Sequence, residues 1–300
     1  MARRTGSAGP GLPYPRRPGP PIREQVHAIS TPIVPFEVWR YRGLIADFAR
    51  RELKGKYKGS VLGSFWALVN PLATLAVYSL VFGFFLRFSP PVAGNGHLDN
   101  FPLYLFTGLV VWNSFYAVST GAMGSLIGAG PLLRKIYFPP FAPVVGNGLA
   151  TLQQTGIELG LLLLVYAILL NVGWTVFLLP VLVVLLAAFS MGVGLLLAML
   201  NARLRDINYI VQVVLNLLFY AAPIVYPITL VTQRYQEHPW LRIYEFNPIT
   251  TFVEAFRDVL WDLRLPPLWQ LGYLAGISVG VLYLGWRFFQ SRAADVSEEL

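Results

Sequence analysis

Side chains able to do chemistry at neutral pH are scarce in this chain: 300 residues hold no cysteine, three histidines and fifteen carboxylates. Without cysteine there is no thiolate nucleophile, Cys-ligated zinc, iron–sulfur cluster or disulfide. His27, His97 and His238 are far apart and match no metal-ligand spacing. Asp258 and Asp262 stand one helical turn apart, a spacing that could mimic a metal pair but reads better as a solvated helix face. Glu158 is the only acid within a long apolar stretch. Such a group marks an ion or proton path, or it is satisfied locally, with Gln153 and Gln154 one turn away. No glycine-rich loop ending in Lys-Ser/Thr is present, so ATP hydrolysis is not expected on this chain. The residues that remain distinctive are cations and aromatic rings.

The cations are unevenly placed. Net charge is +8, and twelve of the 23 Lys/Arg precede residue 67. Charged residues make up only 13% of the chain and hydrophobic ones 55%, against about 25% charged in soluble proteins. Mean hydropathy is +0.56. These values exclude a soluble enzyme and define a polytopic membrane protein; the basic segment is then a positive-inside flank rather than a nucleic-acid surface.

The elements that must carry these residues are helices, and the chain reads as an all-α membrane protein with six transmembrane helices. Apolar stretches of about 20 residues place spans at roughly 62–87, 101–122, 145–170, 174–200, 208–227 and 268–289. Residues 1–35, rich in Pro, Gly and Arg, read as a disordered cytoplasmic tail. Residues 36–60 read as an amphipathic interface helix: Val38, Tyr41, Ile45, Phe48 and Ala49 share one face, Arg50, Arg51 and Lys54 the other. Residues 1–67, loops 2 and 4 and the C-terminal flank with Arg287 and Arg292 collect 18 of the 23 Lys/Arg, which makes both termini, including the C-terminus 291–300, cytoplasmic. Between spans 5 and 6, a Pro- and aromatic-rich segment is too apolar for a free loop and too charged for a span. It reads as re-entrant helices, one of them over 248–264 with Phe252, Phe256, Val259 and Leu260 on one side. In loop 2, LLRKIYFPPF predicts a short helix from about 131 to 138, suited to a partner's groove or to a membrane-surface elbow. No internal repeat supports an inverted-repeat transporter.

Four segments together resemble a known family: YKGSVLGSFWALVNPLATLAVYSLVFGFFL (57–86), LLRKIYFPPFAPVV (132–145), LNARLRDINYIVQVVLNLLFYAAPIVYP (200–227) and YEFNPITTFVEAFRDVL (244–260). They resemble the ABC-2 type membrane subunits that export polysaccharides, O-antigen and teichoic acids. The resemblance implies a permease in the bacterial plasma membrane, not itself an enzyme. It also implies a homodimer joined by two copies of an ATP-binding subunit that carries ATP and Mg, with no cofactor on this chain. The cargo it implies is a polyprenyl-diphosphate-linked glycan of O-antigen, cell-wall galactan or teichoic-acid type. On that basis Leu133, Arg134, Lys135, Tyr137 and Phe138 are expected to couple to the ATPase. Arg50, Arg51, Lys54, Lys56 and Lys58 are expected to meet the lipid diphosphate. Tyr78, Phe82, Phe219, Tyr220 and Tyr226 are expected to line a path where rings stack on sugars. The alternatives are an ABC-2 drug or small-lipid exporter and, from another class, a membrane-embedded glycan-modifying enzyme. The enzyme would need carboxylates or histidines gathered near one membrane face, and the sequence has none so arranged.

Overall fold

In the computed structural model, residues 38–56, 58–133, 135, 136, 138–204 and 206–299 are described, with side chains through residue 293. The predicted tail, 1–35, lies outside them. All regular structure among the described residues is helical. Helix α1 is Arg42–Lys56. The span α2, Gly63–Phe85, starts as a 3₁₀ turn, becomes an α-helix over Trp66–Tyr78 and ends as a π-helix over Ser79–Phe85. Then follow α3 (Phe101–Leu133), α4 (Phe141–Ile168), α5 (Leu179–Arg203), α6 (Ile207–Ala221), the short α7 (Thr229–Thr232), α8 (Pro248–Leu260) and α9 (Leu268–Glu299).

Among the described residues, five helices are long and apolar enough to cross a membrane: α2, α3, α4, α5 with its leading 3₁₀ turn Trp174–Leu178, and α9. The sixth predicted span is shorter than expected. Apolar composition continues to Tyr226, but α6 stops at Ala221; Ala222 is extended and Pro223 follows. Fifteen residues rise about 22 Å, short of a typical hydrocarbon core.

The central element is α3, buried along most of its length among α2, α4, α5 and α8. Glycine permits the closest approach in the bundle, between α5 and α9. A Cβ on Gly192 would lie 2.6 Å from backbone atoms of Val281 and Leu282, and one on Gly285 would overlap the Gly192 carbonyl. Small residues let helix backbones touch where no hydrophobic force drives them together.

Two sequence readings need correction. Among the described residues of 131–138 there is no separate helix: Pro131 sits inside α3, which ends at Leu133, Lys135 and Ile136 lie in a turn and bend, and Phe138 and Pro139 carry no regular structure. The carboxylates read as a solvated face are not solvated either: Asp258 is buried and Asp262 half-buried.

Candidate functional site

The end of the bundle that carries α1 is basic. Arg50, Arg51, Lys54 and Lys58 are exposed and border an open concavity with Asp47 and Gly55, where α1 hands over to α2. Lys56 is exposed beside them and acts electrostatically on Glu158 of α4. Glu158 is half-buried. Gln154 donates to its Oε1 at 3.3 Å and to the Ala67 carbonyl at 3.1 Å, so one amide joins α4 to α2. Gln154 is thus the local partner that the sequence suggested.

The apolar face of α1 is covered by protein. Ile45 is buried, Phe48 meets Phe138 at 5.4 Å with the rings tilted and Tyr41 meets Phe141 edge-on at 6.1 Å. A Cβ on Gly146 of α4 would sit 2.6 Å from the Phe48 Cβ. The helix therefore lies on α4 rather than with its apolar face in lipid. Of the expected coupling residues, Phe138 is buried in this contact, Leu133 is half-buried and Lys135 is exposed next to exposed Ile136. Arg134 and Tyr137 lie outside the described residues. Phe138→Ala is accordingly expected to loosen α1, seen as faster cleavage near residues 50–58 by limited proteolysis, whereas Ile136→Ala should leave the digestion pattern unchanged.

Four of the expected path residues fall on two helices that both pack against α3, and the fifth, Tyr226, lies in the turn beyond α6. Tyr78 and Phe82 are 5.8 Å apart where α2 passes into its π segment, and Phe82 touches Phe88 and Phe101. Single π turns within α-helices are frequent at functional sites. Phe219 of α6 meets Trp112 at 5.5 Å and Tyr220 at 5.1 Å. Tyr220 is exposed, and its carbonyl accepts from the Tyr226 hydroxyl at 3.1 Å. Tyr78, Phe82, Phe219 and Tyr226 are half-buried. Both groups pack on α3, and among the described residues no ring contact joins one group to the other.

At the opposite end, sequence reasoning missed the most constrained residue. Arg257 of α8 is 2% exposed. Its Nη1 donates to the Pro223 carbonyl at 2.7 Å and to Glu254 Oε1 at 3.0 Å, and its Nη2 donates to the Ile224 carbonyl at 2.8 Å. The guanidinium also lies 3.9 Å from the centre of the Tyr104 ring. It therefore satisfies the two carbonyls freed where the backbone breaks after α6. Arg264 donates from Nε and Nη2 to Asp258 Oδ1 at 2.8 and 2.6 Å and lies 3.1 Å from Asp262. Burial pushes the Asp258 and Asp262 carboxyls above their ordinary range, against the pull of Arg264.

Helix α8 is satisfied at both ends. Asn247 caps its start through the Ile249 amide. At its finish, Asn171 donates to the Leu260 and Trp261 carbonyls, and Thr175 donates to Val259. The Trp261 indole donates to Pro91 at 3.0 Å, while the Gly94 amide donates back to the Trp261 carbonyl at 2.9 Å. Such capping lets a short helix sit buried without orphan carbonyls. Among the described residues no group of three or more His, Cys, Asp or Glu side chains could hold a metal.

A helical bundle with five apolar spans, a basic rim and an aromatic interior defines a polytopic membrane protein. Residues 46–261 match the family described as ABC-2 type transporter, and the chain belongs to that family. An O-antigen export system permease protein, RfbA, from Myxococcus xanthus is 30% identical over 267 residues, 88% of this chain and 98% of its own. An RfbA permease from Klebsiella pneumoniae is 27% identical over 223 residues, covering 73% and 80%. The polysialic acid transport protein KpsM of Escherichia coli is 23% identical over 244 residues, covering 81% and 90%.

Proposed function

We propose that this chain is the membrane subunit of an ATP-driven exporter. Its cargo is a polysaccharide carried on a polyprenyl diphosphate, moved outward across the bacterial plasma membrane with both termini cytoplasmic. Relatives named for O-antigen export and polysialic acid transport support the cargo class. The structural observation that carries the reading is the open basic concavity at the foot of α2. A lipid diphosphate presents negative charge at headgroup depth, and nearby basic residues contribute about 1 kcal/mol each toward anionic headgroups. Two copies of the chain enclose the passage, and a separate ATPase docks beside Lys135 and Ile136.

The test uses the complex of permease and ATPase in proteoliposomes. The triple variant Arg51→Gln, Lys54→Gln, Lys58→Gln omits Lys56, which faces Glu158. It is expected to lose most of the stimulation of ATP hydrolysis by lipid-linked glycan while still inserting and assembling. Full stimulation would show that these charges serve topology alone. Stimulation by small amphiphiles and not by lipid-linked glycan would turn the assignment to a small-lipid exporter.

A further inference from the structure

Helix α6 sorts its side chains into three strips. Val211 and Leu215 are buried against the bundle. Ile210, Val213, Val214 and Leu217 form an aliphatic strip, each more than half exposed. Between these runs a polar strip in which Asn208, Gln212 and Asn216 recur at every fourth residue, hence on one face. Gln212 donates from Nε2 to Asn208 Oδ1 at 3.3 Å. Gln212 and Asn216 are exposed, and the strip leads up to Phe219 and exposed Tyr220. The aliphatic strip suits hydrocarbon. The amide strip does not, because an amide without partners in lipid is heavily penalised.

The neighbouring α3 carries a matching strip. It is buried almost throughout, yet Asn113 is exposed, and Thr120, Gly124 and Gly128 continue that side with small or polar groups. A Cβ added at Gly124 or Gly128 would meet nothing within 4 Å. The two helices touch where Phe219 meets Trp112. They run antiparallel, and by helical spacing both polar strips turn to the same side of that contact. A groove between the two helices would be bordered by both strips.

We infer that the ladder of Asn208, Gln212 and Asn216, facing Asn113 and Thr120 across this groove, is a binding surface for the hydroxyl groups of a glycan in transit. The inference rests on the export reading above. An amide offers both a donor and an acceptor, so it pairs with a sugar hydroxyl in either sense. A ladder of amides at one-turn intervals therefore holds successive sugars without demanding one hydroxyl pattern, and the rings above it stack on their C–H faces. The competing occupant is α6 of a second copy, joined by amide contacts. A polar surface spread over two helices, with open space at its glycines, is wider than a two-helix seam covers.

The chain has no cysteine, so single replacements report cleanly. Gln212→Cys and Asn216→Cys, made in the permease–ATPase complex in cell membranes, are probed with a charged, membrane-impermeant thiosulfonate. Both are expected to label, and to label more slowly in cells making the polysaccharide; Val213→Cys and Leu217→Cys should not label. The double variant Gln212→Leu, Asn216→Leu should assemble with the ATPase yet export about tenfold less glycan, as expected for losing one or two hydrogen bonds at the rate-limiting passage. Val213→Leu should export normally. No labelling at 212 and 216, a disulfide between copies at either position, labelling that glycan does not slow, or normal export by the double variant would each overturn the inference. If the wild-type complex exports no polysaccharide, it is the export reading that fails.

Discussion

Arg257→Met is expected to be the most damaging single substitution of a polar residue in this chain. It leaves the half-buried Glu254 carboxylate without its cation and the Pro223 and Ile224 carbonyls without donors. Removing one partner of a buried pair costs about 3–5 kcal/mol. The apparent melting midpoint in detergent, read by fluorescence-detected gel filtration, should fall by about 10 °C. Arg257→Lys should recover little, because an ammonium cannot span both carbonyls while lying flat on Tyr104. Adding Glu254→Gln to Arg257→Met should recover part of the loss by removing the stranded charge. A midpoint near wild type for Arg257→Met would show that the break after α6 is held by something else.

The second large effect is expected at the α5–α9 crossing. Gly192→Ala puts a methyl where backbone atoms of α9 lie 2.6 Å away, so the helices must separate along their longest contact. Gly285→Ala does the same from the other side. Overpacking of this kind costs about 1–3 kcal/mol even where the structure can adjust; here the obstacle is backbone, and loss of monodisperse protein is the expected readout. Gly276→Ala on the same helix is the control. Nothing lies within 4 Å of its Cβ, and alanine gains up to about 1 kcal/mol of helix propensity. Equal behaviour of Gly192→Ala and Gly276→Ala would contradict the crossing.

The long spans were legible because a run of apolar residues is a local property. Where the outcome depended on distant partners, local patterns misled. The apolar run past Ala221 hid a backbone break that Arg257, some thirty-five residues on, makes tolerable. Pro131 read as a helix start, yet it lies in the last turn of α3. Asp258 fell on what looked like a polar face, and only the return of the chain at Arg264 buries and pairs it. The aromatic candidates were visible by type, but among the described residues no ring contact joins the α2 pair to the α6 group. The amide ladder on α6 is plain one-turn spacing of Asn208, Gln212 and Asn216, but neutral amides carry no charge signal that sets them apart from the apolar run around them.

The hydrogen bonds around α8 also say where the molecule is stiff. Pro91 and Gly94, Asn171 and Thr175, and the turn from Trp261 to Arg264 are cross-tied, so three connections form one plate rather than three independent loops. By contrast, α2 buries only Ala67 and Pro71, and α6 only Val211 and Leu215. Mechanically, this is a braced block flanked by two lightly seated rods. The position of each rod is set less by the chain itself than by whatever stands beside it in the membrane. An applied force, whatever its source, would displace the rods long before it deformed the block.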